Sequence, residues 1–129
     1  MAEDFYKNIS NTFTNSSGNI VNISATTEQL QKSPFQQQIN AKVGDILNIS
    51  LPETGGTGYQ WRIRLAQGLY LLNEDFQKSC PPNMVGCPLN LVFTYEINEP
   101  GTLLFIAIYK RPWEDITLYQ YQLLINSSY

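Results

Sequence analysis

Histidine is missing altogether from the 129 residues. Its absence excludes Ser-His-Asp and Cys-His catalysis as well as histidine metal sites. No metal or cofactor is expected. A basic tract is missing too. Eight Lys and Arg stand against eleven Asp and Glu, for a formal net charge of −3. Phosphate binding needs clustered cations, so nucleic acid is not an expected partner. No apolar stretch reaches the ~18 residues that a membrane-crossing helix needs, and no membrane partner is expected. The first residues, Met1-Ala2-Glu3-Asp4-Phe5, lack the basic and apolar regions of a secretory signal. The expectation is a cytoplasmic protein or a chain that begins after a removed leader. Eleven carboxylates leave acid/base chemistry open in principle. The pairs Glu74-Asp75 and Glu114-Asp115 are adjacent, however, which on a strand sends the two side chains to opposite faces. We do not expect an enzyme.

What is present is a strand pattern. Hydrophobic residues make up 43% of the chain and charged residues 15%, a globular balance. One domain of this length buries roughly two-thirds of its unfolded surface. Apolar and polar residues alternate from Ile20 to Ala25, through Leu47, Ile49 and Leu51, and through Tyr59, Trp61, Ile63 and Leu65. The alternation continues through Leu89, Leu91, Phe93, Tyr95 and Ile97, and Leu118 to Ile125 adds another strand. Leu103 to Tyr109 is apolar almost throughout, which suits a central strand covered on both faces. No long helical period appears. These features predict an all-β antiparallel β-sandwich of seven or eight strands over residues 20–129. Residues 1–19, rich in Asn, Ser and Thr, are expected to be a polar N-terminal arm.

The connections are of two kinds. Gln67-Gly68 and Asn98-Glu99-Pro100-Gly101 are tight, the latter with Pro and Gly placed as a type II turn requires. Segments 52–58, 77–88 and 111–116 are longer and chemically unusual. Successive connections in an up-and-down run of strands alternate between the two ends of a sandwich. With strands at about 45–51, 59–65, 69–76, 89–97, 102–110 and 117–125, the three unusual loops share one end. Loops on a rigid scaffold are where binding function commonly sits.

Each loop carries a distinct signal. Thr54-Gly55-Gly56-Thr57-Gly58 is glycine-rich, but no Lys-Ser/Thr follows and no helix opens, so it is not a phosphate loop. Leu51-Pro52-Glu53-Thr54-Gly55 spells a sortase signal; lying mid-chain and running into a strand, it is read as coincidence. Cys80 and Cys87, the only cysteines, bracket the second loop. They either close a disulfide across its base or stay free thiols. The disulfide is the expectation, contributing about 2–3 kcal/mol in the chain-entropy model and stiffening the loop. Arg111-Pro112-Trp113 sets a planar cation and a large ring in a turn. Both residue types are enriched at binding hot spots, unless the tryptophan folds back onto its own core. Asn-x-Ser sequons begin at Asn8, Asn15, Asn22, Asn48 and Asn126. With the cysteine pair they lean towards a lysosomal, phagosomal or secreted lumen.

With these loops in order, the chain resembles the chagasin family, inhibitors of papain-like cysteine peptidases. Thr57-Gly58-Tyr59-Gln60-Trp61 matches the latter half of that family's first-loop motif, Asn-Pro-Thr-Thr-Gly-aromatic-x-Trp. Arg111-Pro112-Trp113 matches its third. Val43-Gly44-Asp45 and Pro100-Gly101-Thr102 resemble its framework. The similarity covers about residues 20–125. There are departures. Thr54-Gly55-Gly56 stands where the family has Asn-Pro-Thr, and Gly86-Cys87-Pro88 where it has Gly-x-Gly, so Pro88 removes a backbone donor.

The resemblance implies an immunoglobulin-like sandwich acting as a reversible, non-covalent inhibitor, whose three loops straddle a peptidase's active-site cleft. Gly56, Thr57, Gly58 and Tyr59 would meet the peptidase, with Thr57 and Gly58 over the catalytic cysteine. Val85, Gly86 and Cys87 would line the non-prime side. Arg111, Pro112 and Trp113 would lie on the prime side, while Trp61 is a core residue. The implied partner is one papain-like cysteine peptidase per inhibitor monomer. The alternative is a non-inhibitory adhesion or receptor-binding module of immunoglobulin-like fold.

Overall fold

The computed structural model describes residues 18–78 and 89–129. Its elements run β1 (Ile20–Ser24), α1 (Thr27–Leu30), β2 (Phe35–Lys42), β3 (Ile46–Glu53), β4 (Gln60–Ala66), β5 (Leu69–Lys78), β6 (Leu89–Ile97), β7 (Gly101–Lys110) and β8 (Thr117–Ser128). They form two four-stranded sheets, ordered β1-β3-β6-β5 and β2-β8-β7-β4. The predicted sandwich is therefore present with eight strands.

Alternation explains which residues meet between the sheets. Leu47, Ile49 and Leu51 of β3 and Phe93, Tyr95 and Ile97 of β6 point inward from one sheet. Leu103, Phe105 and Ala107 of β7 and Tyr121, Leu123 and Ile125 of β8 point inward from the other. Phe105 meets Tyr95 edge-on at 5.5 Å and Tyr121 at 6.3 Å, so aromatic contacts link the two layers.

Three details depart from the sequence reading. Two strand pairs, β1 with β3 and β2 with β8, are parallel, so the sandwich is not wholly antiparallel. Strand β7 is central in its sheet but is fully covered on one face only. Leu104, Ile106 and Ile108 on its outer face are half-buried, because no further layer among the described residues lies outside that sheet. Strand β2 lies in a stretch where no strand was expected, and a helical turn precedes it. That turn starts at a capping box: the Thr26 hydroxyl accepts from Gln29 N–H, and the Gln29 side chain accepts from Thr26 N–H. It seats Leu30 in the core.

Strand register fixes the loop end. Glu53 pairs with Leu89, and Leu89 with Lys78, so the last residues of β3 and β5 and the first of β6 lie in one row. In the other sheet Gln60 pairs with Lys110, and Lys110 with Thr117. All three long connections therefore leave from the same end. The tight turns sit at the other, where Gly68 (φ +67) and Gly101 (φ +111) adopt the positive φ their turns demand.

Candidate functional site

The glycine-rich loop is held from its base upward. The indole Nε1–H of Trp61 donates to the Pro52 carbonyl at 2.8 Å. The Thr54 N–H donates to the Tyr109 hydroxyl at 3.1 Å, which ties the loop to the opposite sheet. Glu53 accepts from the Trp61 N–H at 3.3 Å. Within the loop, the Thr57 hydroxyl donates to the Thr54 carbonyl at 2.9 Å and accepts from the Tyr59 N–H at 3.3 Å. Gly56 and Gly58 take φ values of +81° and +85°, where a side chain would be strained. These bonds define the backbone path across the three glycines.

An aromatic stack supports the same corner. Tyr59 stacks on Tyr109 at 5.4 Å, Trp61 lies against Tyr109 at 4.8 Å, and Tyr119 is parallel to Tyr109 at 5.7 Å. Trp61 is buried, as expected of a core residue. Burial raises the Tyr109 hydroxyl above the usual tyrosine pKa, so it stays protonated.

The Arg111-Pro112-Trp113 loop lies directly against this structure. Arg111 Nε–H donates to the Thr57 carbonyl at 2.9 Å. Its guanidinium sits 4.4 Å above the centre of the Tyr59 ring. Its Nη1 meets Glu114 Oε2 at 3.3 Å, and the Glu114 N–H donates to the Arg111 carbonyl at 3.1 Å, closing the turn. Trp113 does not fold into the core: it is 71% exposed. One edge of its ring rests on Gly58, where a Cβ would lie only 2.5 Å from Trp113 Cη2. Gly58 thus meets two demands, a positive φ and a bare surface for the ring.

Of the residues expected at the site, Gly56, Thr57, Gly58, Tyr59, Arg111, Pro112 and Trp113 are together at one corner. Pro112 is exposed beside Trp113, and Tyr59 is half-buried under Arg111. Val85, Gly86 and Cys87, and the proposed bridge between Cys80 and Cys87, lie outside the described residues. Sequence reasoning missed Glu114 and Tyr109, whose parts depend on contacts rather than motif. It also missed Ile116, which is 77% exposed on the same loop as Trp113. An isoleucine so placed extends the apolar tip, and its position in an unusual loop was the available signal.

The family model described as Chagasin family peptidase inhibitor I42 matches residues 40–125. The chain belongs to the chagasin family. Solved structures show the same fold. EhICP2, a cysteine protease inhibitor from Entamoeba histolytica, is 19% identical over 88% of this chain and 99% of its own, with a TM-score of 0.69. PbICP-C, solved in complex with falcipain-2, is 18% identical over 84% of this chain and 99% of its own, with a TM-score of 0.53. Amebosin, solved in solution, is 18% identical over 84% and 97%, with a TM-score of 0.52. Among curated protein sequences none matches. In this chagasin-family chain the matched span includes the glycine-rich loop and the Arg-Pro-Trp loop, and ends within β8.

Proposed function

We propose that this chain inhibits papain-like cysteine peptidases by laying its loop end across the active-site cleft, reversibly and without covalent chemistry. Membership of a peptidase-inhibitor family gives the class of partner. The observation that carries the mode is the seating of Trp113 on Gly58, with Arg111 bonded to Thr57. Two loops 54 residues apart in sequence form one surface, as a wedge over a groove requires. On this reading Thr57 and Gly58 face the catalytic cysteine and Trp113 packs on the prime side. Lys78 and Leu89, which flank the remaining long connection, lie at the same end.

Inhibition here is occlusion. A peptidase cleaves a chain whose carbonyl is held in line with its thiolate. A backbone anchored at Thr54 and Thr57 and bent through positive φ at Gly58 resists that alignment. The chain itself acts without catalysis. Loops already fixed to a rigid sandwich lose little entropy on docking, and such complexes reach high affinity at standard interface size.

Titration of papain with the pure protein tests the reading. Activity falls linearly to zero at one inhibitor per active site, returns on dilution, and leaves the inhibitor uncut. Unchanged activity at excess inhibitor, or cleavage within 54–59, overturns it.

A further inference from the structure

We propose that Arg111 is a positioning residue: it fastens the Trp113 loop to the glycine-rich loop so that both meet the peptidase as one rigid body. The proposal rests on the inhibitor reading above and assigns Arg111 a part inside the molecule, in place of contact with the enzyme.

The guanidinium is already engaged on three sides. Nε–H is given to Thr57, Nη1 to Glu114, and the planar face to Tyr59. Tyr59 in turn stacks on Tyr109, whose hydroxyl holds Thr54. The contacts close a circuit. Arg111 fixes the Thr57 carbonyl, the next residue is Gly58, and Gly58 is where the Trp113 ring rests. Trp113 lies two residues from Arg111, which completes the loop. Without the clasp, a ring 71% exposed and held at one edge has little else to fix its direction. Arginine suits the task because it donates in its plane and stacks on its face at once; a lysine ammonium is a compact point charge that can donate or sit over a ring but has no planar fork to do both in that geometry. Glu114 balances its charge within the loop, so the pair is not an exposed cation awaiting an anionic partner.

The test reads the free protein and the complex separately. The Trp113 ring current displaces the Gly58 α-proton resonances, and Trp113→Ala measures how much of that displacement the ring causes. Arg111→Ala and Arg111→Lys are expected to lose most of it, while strand resonances and melting temperature hold. Both variants should also inhibit papain roughly tenfold more weakly, the order expected when one large side chain must be ordered on binding. Glu114→Ala, which removes one of the three legs, should give a smaller loss of the same kind. If Arg111→Ala leaves the Gly58 displacement intact, the clasp is wrong, and any lost inhibition then belongs to direct contact. If Arg111→Lys restores both readouts, a point charge suffices and the clasp is equally wrong. The Gly58 measurement needs no peptidase, so it judges the clasp even if the titration of papain fails.

Discussion

At the end where β3 begins, Asp45 is 5% exposed, and its carboxylate accepts the N–H groups of Asn19 and Lys42 at 3.1 and 2.9 Å. The backbone around it is bonded as closely: Ile97 N–H to the Asp45 carbonyl, Gly44 N–H to Ile97, and Val43 N–H to the Ser128 carbonyl. At the other end, about 23 Å away along β3, Trp113 is 71% exposed and Arg111 is the charged group that binds a distant backbone. Each end uses a charged side chain to draw together segments far apart in sequence. At the Asp45 end the charge is sealed in and the gain is stability. At the Arg111 end the charge lies near the surface, where an ion pair contributes only about 0–1 kcal/mol. The gain there is the placement of an apolar ring in water. Contacts of similar kind thus hold the fold at one end and offer a surface at the other.

Two substitutions probe that division, and each should register in one assay only. Trp113→Ala should cost on the order of 2–4 kcal/mol of papain binding, as hot-spot tryptophans do. Its unfolding free energy should move by less than about 0.5 kcal/mol, because the ring covers little of the core. Asp45→Ala should do the reverse. It leaves two part-buried N–H donors without their charged acceptor and should cost about 1–2 kcal/mol in urea unfolding, with the inhibition constant of folded protein unchanged. A Trp113 variant that unfolds easily, or an Asp45 variant that loses inhibition while folded, would erase the contrast between the ends.

The sequence made most of this contrast readable, with instructive gaps. Strands β1, β3, β4, β6 and β8 announced themselves by alternation, since one face of each turns inward and the pattern has period two; β7 showed as a nearly continuous apolar run, and β5, exposed along almost its whole length, was placed only by the connections that flank it. Strand β2 did not announce itself. Phe35, Ile39 and Ala41 face inward, but so does Gln37, and one polar residue in a short run hides the period. Gln37 is tolerated because Tyr121 donates to its Oε1 at 2.6 Å and its Nε2 donates to the Ser24 carbonyl. No local signal tells of that tyrosine 84 residues away. The parallel pairing of β1 with β3 and of β2 with β8 was hidden for a related reason: hairpin turns reveal antiparallel neighbours, and these pairs have none. At the site, counting strands was enough to bring the loops to one end. The inward use of Arg111 was not readable, because an arginine in a turn looks the same whether it faces a partner or its own chain.

A smaller effect tests how the glycine-rich loop is joined to the fold. Tyr109→Phe keeps the ring in its stack with Tyr59, Trp61 and Tyr119 and removes only the acceptor of the Thr54 N–H. The expected cost is about 1 kcal/mol of stability, the usual net value of one such bond. Amide exchange should quicken at Thr54 and not at the Asp45 end. Equal quickening at both ends would mean that the loop is no separate unit.

The smallest effect concerns charge at the base of that loop. Burial pushes the Glu53 carboxyl above its ordinary pKa; the bond from the Trp61 N–H opposes this, and the nearby Glu74 charge adds to it. The folded protein therefore holds the Glu53 proton more tightly than the unfolded chain. Glu53 supports the fold fully below the unfolded carboxylate value, about 4.3, and that support is lost as pH rises through the raised folded value. Glu53→Gln is neutral at every pH and still offers Oε1 to Trp61. Its melting temperature should match wild type near pH 4 and exceed it by a growing margin towards pH 7, while the Asp45 contacts are untouched. A margin that shrinks or reverses with rising pH would show that the bond to Trp61 outweighs the cost of burial, and that the loop base, like the Asp45 end, is stabilised by its charge.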